Sequence, residues 1–249
     1  SMPDFGESVI TDHEGNVYMT GYFRGTLHLL GQEFVSESAS NTMFLVKISP
    51  AQEILWLITA EADGVTGAGG FSLDFRNEYI YLMGNYRGNA TFFSADFSDM
   101  QLSAVYNSVF IAKYTTQGIL EWVRSITSGH STGITLTGSA SGLKTDASGS
   151  VYFSLMFRES VNLAGVPVSA GIGGNTFYAL LGKLDALGGY QWHWNSTNIN
   201  EARAQGLTVT ADENILFSVQ YADTLSIPGH SFQNPGGGMA LVELSAAGE

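Results

Sequence analysis

Short apolar runs alternate with polar ones along the whole chain, and the period is two rather than the three to four of an amphipathic helix. The pattern therefore predicts strands, and they fall into groups of four. A strand rich in small residues comes first and ends at an aspartate turn: Gly6–Thr11, Gly67–Leu73, Gly138–Thr145 and Gln205–Thr210. An aromatic-rich strand follows the turn. A third strand runs over Met43–Ile48, Val109–Tyr114, Tyr178–Leu184 and Met239–Leu244, with a lysine in the first three. A short turn then leads to a fourth strand that holds a tryptophan.

Laid over itself, the chain matches in order. Thr11–Gly25 recurs in outline as Leu73–Gly88 and Thr145–Arg158, and in worn form as Ala211–Ala222. Lys47, Lys113 and Lys183 keep the same spacing as Trp56, Trp122 and Trp192, so several landmarks recur together. Repeats of about 60 residues, each a meander of four antiparallel strands, are what β-propeller blades look like. The expectation is an all-β fold: one β-propeller domain over residues 1–249, with blades at about 6–66, 67–137, 138–204 and 205–249. Small residues in each first strand suit a strand crowded near an axis.

Asp12-His13-Glu14-Gly15-Asn16-Val17-Tyr18-Met19-Thr20-Gly21-Tyr22-Phe23 and Phe110-Ile111-Ala112-Lys113-Tyr114 resemble the bacterial β-propeller repeat family of the SBBP type. The resemblance covers nearly the whole chain, although the fourth copy has Ala222 for the arginine and Glu243 for the lysine. It implies the fold and a habitat in large exported or surface proteins of bacteria, and it implies no catalytic residue. The fourth tryptophan strand is expected past Glu249, which leaves the last blade one strand short unless Met2–Phe5 supplies it. A closed four-blade ring, an arc of a larger propeller and a pair of copies completing each other all stay open, and Ser1-Met2 reads as an expression remnant.

Composition narrows the partners. With 44% hydrophobic and 13% charged residues, the chain can bury a core under a surface of Ser, Thr, Asn and Gly. A net charge of −13 repels a phosphate backbone, so nucleic acid is not an expected partner. No apolar run reaches the roughly 18 residues of a membrane helix, so membrane insertion is not expected either. The absence of cysteine removes disulfides and thiol catalysis.

The repeated Asp12, Asp74, Asp146 and Asp212 read as acceptors in hairpin turns rather than as a cation ring, since no turn carries a calcium-loop pattern. Arg24, Arg87 and Arg158, with Lys47, Lys113 and Lys183, read as blade-to-blade contacts rather than an anion ring. Trp56, Trp122 and Trp192 are expected between blades. His13, His28, His130, His193 and His230 share no metal spacing, so neither a metal nor a cofactor is expected. Gly171–Asn175 reads as a loop, and Asp96 and Asp99 as solvated. Asn89-Ala90-Thr91 and Asn195-Ser196-Thr197 match the glycosylation sequon.

Candidate binding residues depart from the template. Trp194 and His193, beside Asn195, Asn198 and Asn200, form either a sugar or peptide platform or a larger core filling. The segments Ser94–Asn107 and Gly129–Gly138 read as insertions peculiar to the second and third copies. Phe97, Met100, Leu102, Val105 and Tyr106 in the first of these form either an adaptable apolar contact or a cap on a blade end.

The reading that follows is a non-catalytic recognition or adhesion module, extracellular or on a bacterial cell surface, that binds a glycan or protein through loops on one face. A structural domain of a surface fibre, with homo-oligomers through the incomplete blade, is the alternative. A propeller hydrolase or lyase is the third.

Overall fold

The computed structural model describes residues 4–64, 68–76, 78–129, 134–135, 142–169, 176–197, 201–227 and 230–249. Gly171–Asn175, Asn198, Asn200, His130 and most of Gly129–Gly138 lie outside the described residues. The fold is all-β and antiparallel, with no helix among the described residues. Internal contacts gather into two compact units, Ser1–Ser125 and Ile126–Glu249, each holding two of the four sequence segments.

In the first unit, segment one runs β1 (Phe5–Thr11), β2 (Val17–Phe23), β3 (Thr26–Leu29), β4 (Gln32–Val35), β5 (Thr42–Ile48) and β6 (Ile54–Ala62). Its sheet pairs β1-β2-β5-β6, while β3 and β4 form a separate hairpin. Segment two runs β7 (Ala68–Arg76), β8 (Tyr79–Phe93), β9 (Asp99–Thr115) and β10 (Leu120–Ser128), paired in that order. β7 lies against β1, β2 and β5. The side-chain period of two therefore buries Tyr18, Met43 and Leu45 against Leu73, Ile80, Leu82 and Phe110 in one core.

In the second unit, segment three comprises β11 (Ile134–Thr135), β12 (Leu143–Thr145), β13 (Val151–Phe157), β14 (Ser160–Leu163), β15 (Val166–Ser169), β16 (Tyr178–Leu184) and β17 (Tyr190–Asn195). Among the described residues, segment four comprises β18 (Ala202–Val209), β19 (Ile215–Ile227) and β20 (His230–Leu244), in a three-stranded sheet. Tyr152, Leu181 and Trp194 pack on Ala202, Phe217 and Val219.

Two sequence expectations change here. Ser94–Asn107 is not an insertion of one copy. β8 and β9 stay paired out to Phe93 and Asp99, so most of it is a hairpin arm. The other segments carry the same arm as β3–β4, as β14–β15 and as the paired ends of β19 and β20. Arm strands also cross segments: Ala60–Ala62 of β6 pairs with Ala90–Phe92 of β8.

The aspartate positions also shift. Asp12 and Asp146 sit in equivalent turns, in which their own N–H groups reach Asn16 and Ser150 carbonyls. Asp74 instead lies within β7 opposite Tyr81, and the position equivalent to Asp12 in the fourth segment is Thr210, not Asp212. Thr210 Oγ1 accepts from Asn214 N at 3.1 Å, as Asp12 Oδ1 accepts from Asn16 N at 2.9 Å. A threonine does the turn's work, and identity matching alone misplaces it.

Gly21 shows how closely the backbones approach. It pairs with Gly6 beside a bulge, and a methyl group on Gly21 would be driven into the Phe5 carbonyl. Gly21→Ala is expected to cost about 2 kcal/mol through displacement of β1. A urea titration of the full chain checks it, and an unchanged midpoint would contradict the close approach.

Candidate recognition surface

The landmarks that recur in the sequence meet in space. Tyr18 and Lys47 are cross-strand neighbours, as are Lys47 and Trp56, because β2, β5 and β6 hold them in one row. Lys47 Nζ and Trp56 Nε1 both donate to the Thr116 carbonyl, each at 3.2 Å, in the turn after β9. The Trp56 indole covers Gly118 of that turn, where a Cβ would lie 3.1 Å from the ring. In the second unit, Lys183 Nζ and Trp192 Nε1 donate to the Ala246 carbonyl at 3.0 and 3.1 Å, and Trp192 covers Gly248. In each unit, among the described residues, a Lys–Trp clasp thus grips the turn of the later segment. In segment two, the Trp122 ring lies 6.4 Å from Tyr81, and Lys113 Nζ sits 3.6 Å from the Tyr79 ring centre. Burial pulls the Lys113 ammonium below its ordinary range, against the raising pull of Glu121.

An aspartate anchors each clasp. Asp146 accepts from Ser148 N at 3.0 Å, Ser150 N at 2.8 Å and Tyr152 Oη at 3.0 Å, and lies 3.9 Å from Lys183 Nζ. Its burial opposes ionisation, yet these donors outweigh that cost and hold the carboxyl below its ordinary value. Asp12 receives Tyr18 Oη at 3.0 Å in the same way. Burial, with the neighbouring carboxylates, raises both tyrosines.

The residues singled out for binding differ in exposure within each unit. Trp194 is only 8% exposed and meets Phe217 edge to face at 5.7 Å, so its ring fills the core of the second unit and presents no stacking platform. His193 points the other way, with Nδ1 2.8 Å from Tyr190 Oη, and burial lowers its pKa. Phe97 stands at the tip of its arm, 99% exposed at φ 66°. Met100 and Leu102 pack into the first unit's core, Val105 is exposed, and Tyr106 is half-buried. Asp96 is taken up by its own turn, accepting from Ser98 Oγ at 2.6 Å. Arg24 is exposed, and the Arg87 carbonyl accepts from Gly64 N at 3.1 Å.

Segment four holds a surface that motif reading missed. Its sheet lines up Arg203, Gln220 and Met239 in one row, and Gly206, Ser218 and Leu241 two rows further along. Met239 is 74% and Leu241 66% exposed, whereas their counterparts Met43 and Leu45, Val109 and Ile111, and Ala179 and Leu181 are at most 1% exposed. Beside Met239 lies a groove of about 760 Å³, lined by Glu201, Arg203, Gln205, Gln220, Tyr221 and Gly236–Met239.

The groove has a local cause. In segment three, the Arg158 guanidinium stacks 3.9 Å from the Phe177 ring centre. Phe157 pairs with Tyr178 just before them, as Tyr221 pairs with Gly238 in segment four, and the residues next along there are Ala222 and Gly237, which carry no side chains to fill the space. Gly237, at φ 87°, leaves no room for replacement, since a Cβ would lie 2.9 Å from the Tyr221 carbonyl. The groove's polar groups are preset: Arg203 pairs with Glu201 at 2.8 Å, and Gln205 Nε2 donates to Gln220 Oε1 at 3.2 Å. The departures Ala222 and Glu243 were the available sequence signal.

A second groove, of about 550 Å³, is acidic, with Glu37, Glu61 and Asp63, and Asp63 there accepts two bonds from Asn89. Among the described residues, no group of three or more His, Asp or Glu side chains is placed to hold a metal ion. Comparison with models of known protein families and with curated proteins returns no match.

Proposed function

We propose that the chain is a non-catalytic recognition or adhesion module, built of four β-propeller-type repeats like those of the SBBP family in exported bacterial surface proteins. It binds a glycan or protein through the groove of the fourth segment. The observation that carries this reading is the loss of the Arg–aromatic pair at Ala222 and Gly237, which opens space beside guanidinium, carboxylate and amide groups held on a sheet. Such planar groups match the paired hydroxyls of a sugar or the amides of a peptide, and a rigid sheet limits the ordering cost of binding.

The experiment is binding of the chain to a printed glycan array and a panel of surface proteins, repeated with Ala222→Arg and Gln220→Ala. Refilling the groove with Ala222→Arg should abolish binding, and Gln220→Ala should weaken it about tenfold. Binding that survives Ala222→Arg in a folded protein would remove the groove from the function.

The assembly reading draws on a different observation. Lys47, Trp56, Lys183 and Trp192 are all committed to joining neighbouring segments, as they would be in a load-transmitting array.

A further inference from the structure

We infer that the groove of the fourth segment receives Phe97 of a second copy of this chain, so that copies join head to tail. The inference rests on the groove reading above and names the groove's occupant. The donor side is a strained, exposed ring. Phe97 lies in the turn at the tip of the β8–β9 arm, closed by Ser94 N to the Ser98 carbonyl and by Phe97 N to the Ser94 carbonyl. In turns bonded alike, this position holds glycine, as at Gly15 and Gly118, or a polar residue, as at Gln52 and Glu213. Phe97 adopts the same left-handed conformation at φ 66°, which is unfavourable for a bulky side chain. Its ring is 99% exposed, so no packing within its own chain offsets that conformation, and strain kept without such a return points to use by a partner. The tip is also held in place. Asp96 accepts from Ser98 N at 3.1 Å and Ser98 Oγ at 2.6 Å, and Ala95 N donates to the Gly118 carbonyl at 3.0 Å. A ring carried on an ordered turn loses little freedom on docking.

The acceptor side lacks a ring. In segment three, Phe157 meets Tyr178 with ring centroids 6.0 Å apart, and Arg158 stacks on Phe177 beside them. In segment four, Tyr221 faces Gly238, and Ala222 and Gly237 follow. Tyr221 therefore lines the groove with no aromatic residue opposite it on β20, and Arg203 stands on the same lining. Phe97 supplies the missing ring, placed to meet Tyr221 and the Arg203 guanidinium as Tyr178 meets Phe157 and as Phe177 meets Arg158. The charges beside the ring agree. Arg203 engages Glu201 Oε1 through Nε at 2.9 Å and Nη2 at 2.8 Å, which leaves the Nη1 side of its fork for a second carboxylate. Asp99, exposed and two residues from Phe97, carries one. The space left by these side chains fits an aromatic residue of a polypeptide better than a sugar, and this chain displays that residue itself. Donor and acceptor are different surfaces, so the contact is heterologous and each added copy presents a fresh groove or a fresh tip.

The test is sedimentation velocity of the full chain over a concentration series, in about 0.5 M salt to screen the repulsion between copies of net charge −13. The expected result is an average mass that rises with concentration. Phe97→Gly should weaken association about tenfold, while its urea midpoint stays level or rises because glycine suits φ 66°. Ala222→Arg should weaken association to the same degree by filling the groove. The two variants are then mixed. Ala222→Arg still carries Phe97, and Phe97→Gly still carries the open groove, so the mixture should form a pair of one copy each that grows no further. A wild type that stays monomeric throughout would overturn the proposal. So would association that survives either substitution in a folded chain, or a mixture that forms no pair. The groove reading is judged separately: a monomeric wild type whose array or surface-protein binding is lost in Ala222→Arg keeps the groove and removes only this occupant.

Discussion

Replacing Trp192 with alanine is expected to destabilise the chain by about 3 kcal/mol, the scale of truncating a large packed aromatic residue. Three contacts disappear together. The indole N–H leaves the Ala246 carbonyl, the ring uncovers Gly248, and the neighbouring Tyr152 ring, 6.1 Å away, loses a wall. Lys183 still reaches the same carbonyl, so the turn is not left without a donor. Trp192→Phe separates the contributions: it keeps most of the packing, removes the donor and should cost about 1 kcal/mol. Trp56→Ala should behave alike in the first unit through Thr116 and Gly118. Urea denaturation followed by circular dichroism checks both. A loss below about 1 kcal/mol for Trp192→Ala would mean that the clasp does not tie its two segments together.

Asp146→Ala is expected to cost about 3 kcal/mol, because it strips a carboxylate that is 4% exposed from the Ser150 N–H and the Tyr152 hydroxyl that donate to it. The same residue sets an acid dependence. Burial works against its charge, but the bonds from Ser148, Ser150 and Tyr152 prevail and lower its pKa from the ordinary 3.8. A carboxyl depressed on folding contributes stability that is present above its unfolded value and lost as pH falls through the folded one. The wild type should therefore lose stability between pH 4 and more acidic solution by more than Asp146→Asn does. Equal acid slopes for the two proteins, in denaturation series at pH 7 and pH 3, would remove Asp146 from the acid response. Asp12 adds a smaller effect of the same sign, since its turn is more open to water.

These two predictions concern junctions between segments, whereas the groove lies within segment four. Segment four has Thr210, Leu216 and Glu243 at the positions of Asp146, Tyr152 and Lys183. None of the three can rebuild the anchored Lys–Trp clasp. The face that carries them is also the one that exposes Met239 and Leu241.

The sequence by itself determined the all-β class, the lysine and tryptophan strands and their order, because a period of two and recurring landmarks are properties of neighbours along the chain. Tyr178–Leu184 was legible to the residue. Tertiary structure decided the rest. Thr210 replaced Asp212 as the turn acceptor because ladder hydrogen bonds, not residue identity, set the register. Ser94–Asn107 became a hairpin arm because pairing of β8 with β9 continues through polar residues that read as loop. Trp194 went inside and Met239 outside although both are large and apolar, since exposure depends on whether another sheet lies over that face. The groove required two distant positions, Ala222 and Gly237, to lose their side chains at one point in space. Composition and spacing do not record which positions meet, and that meeting is what makes a surface.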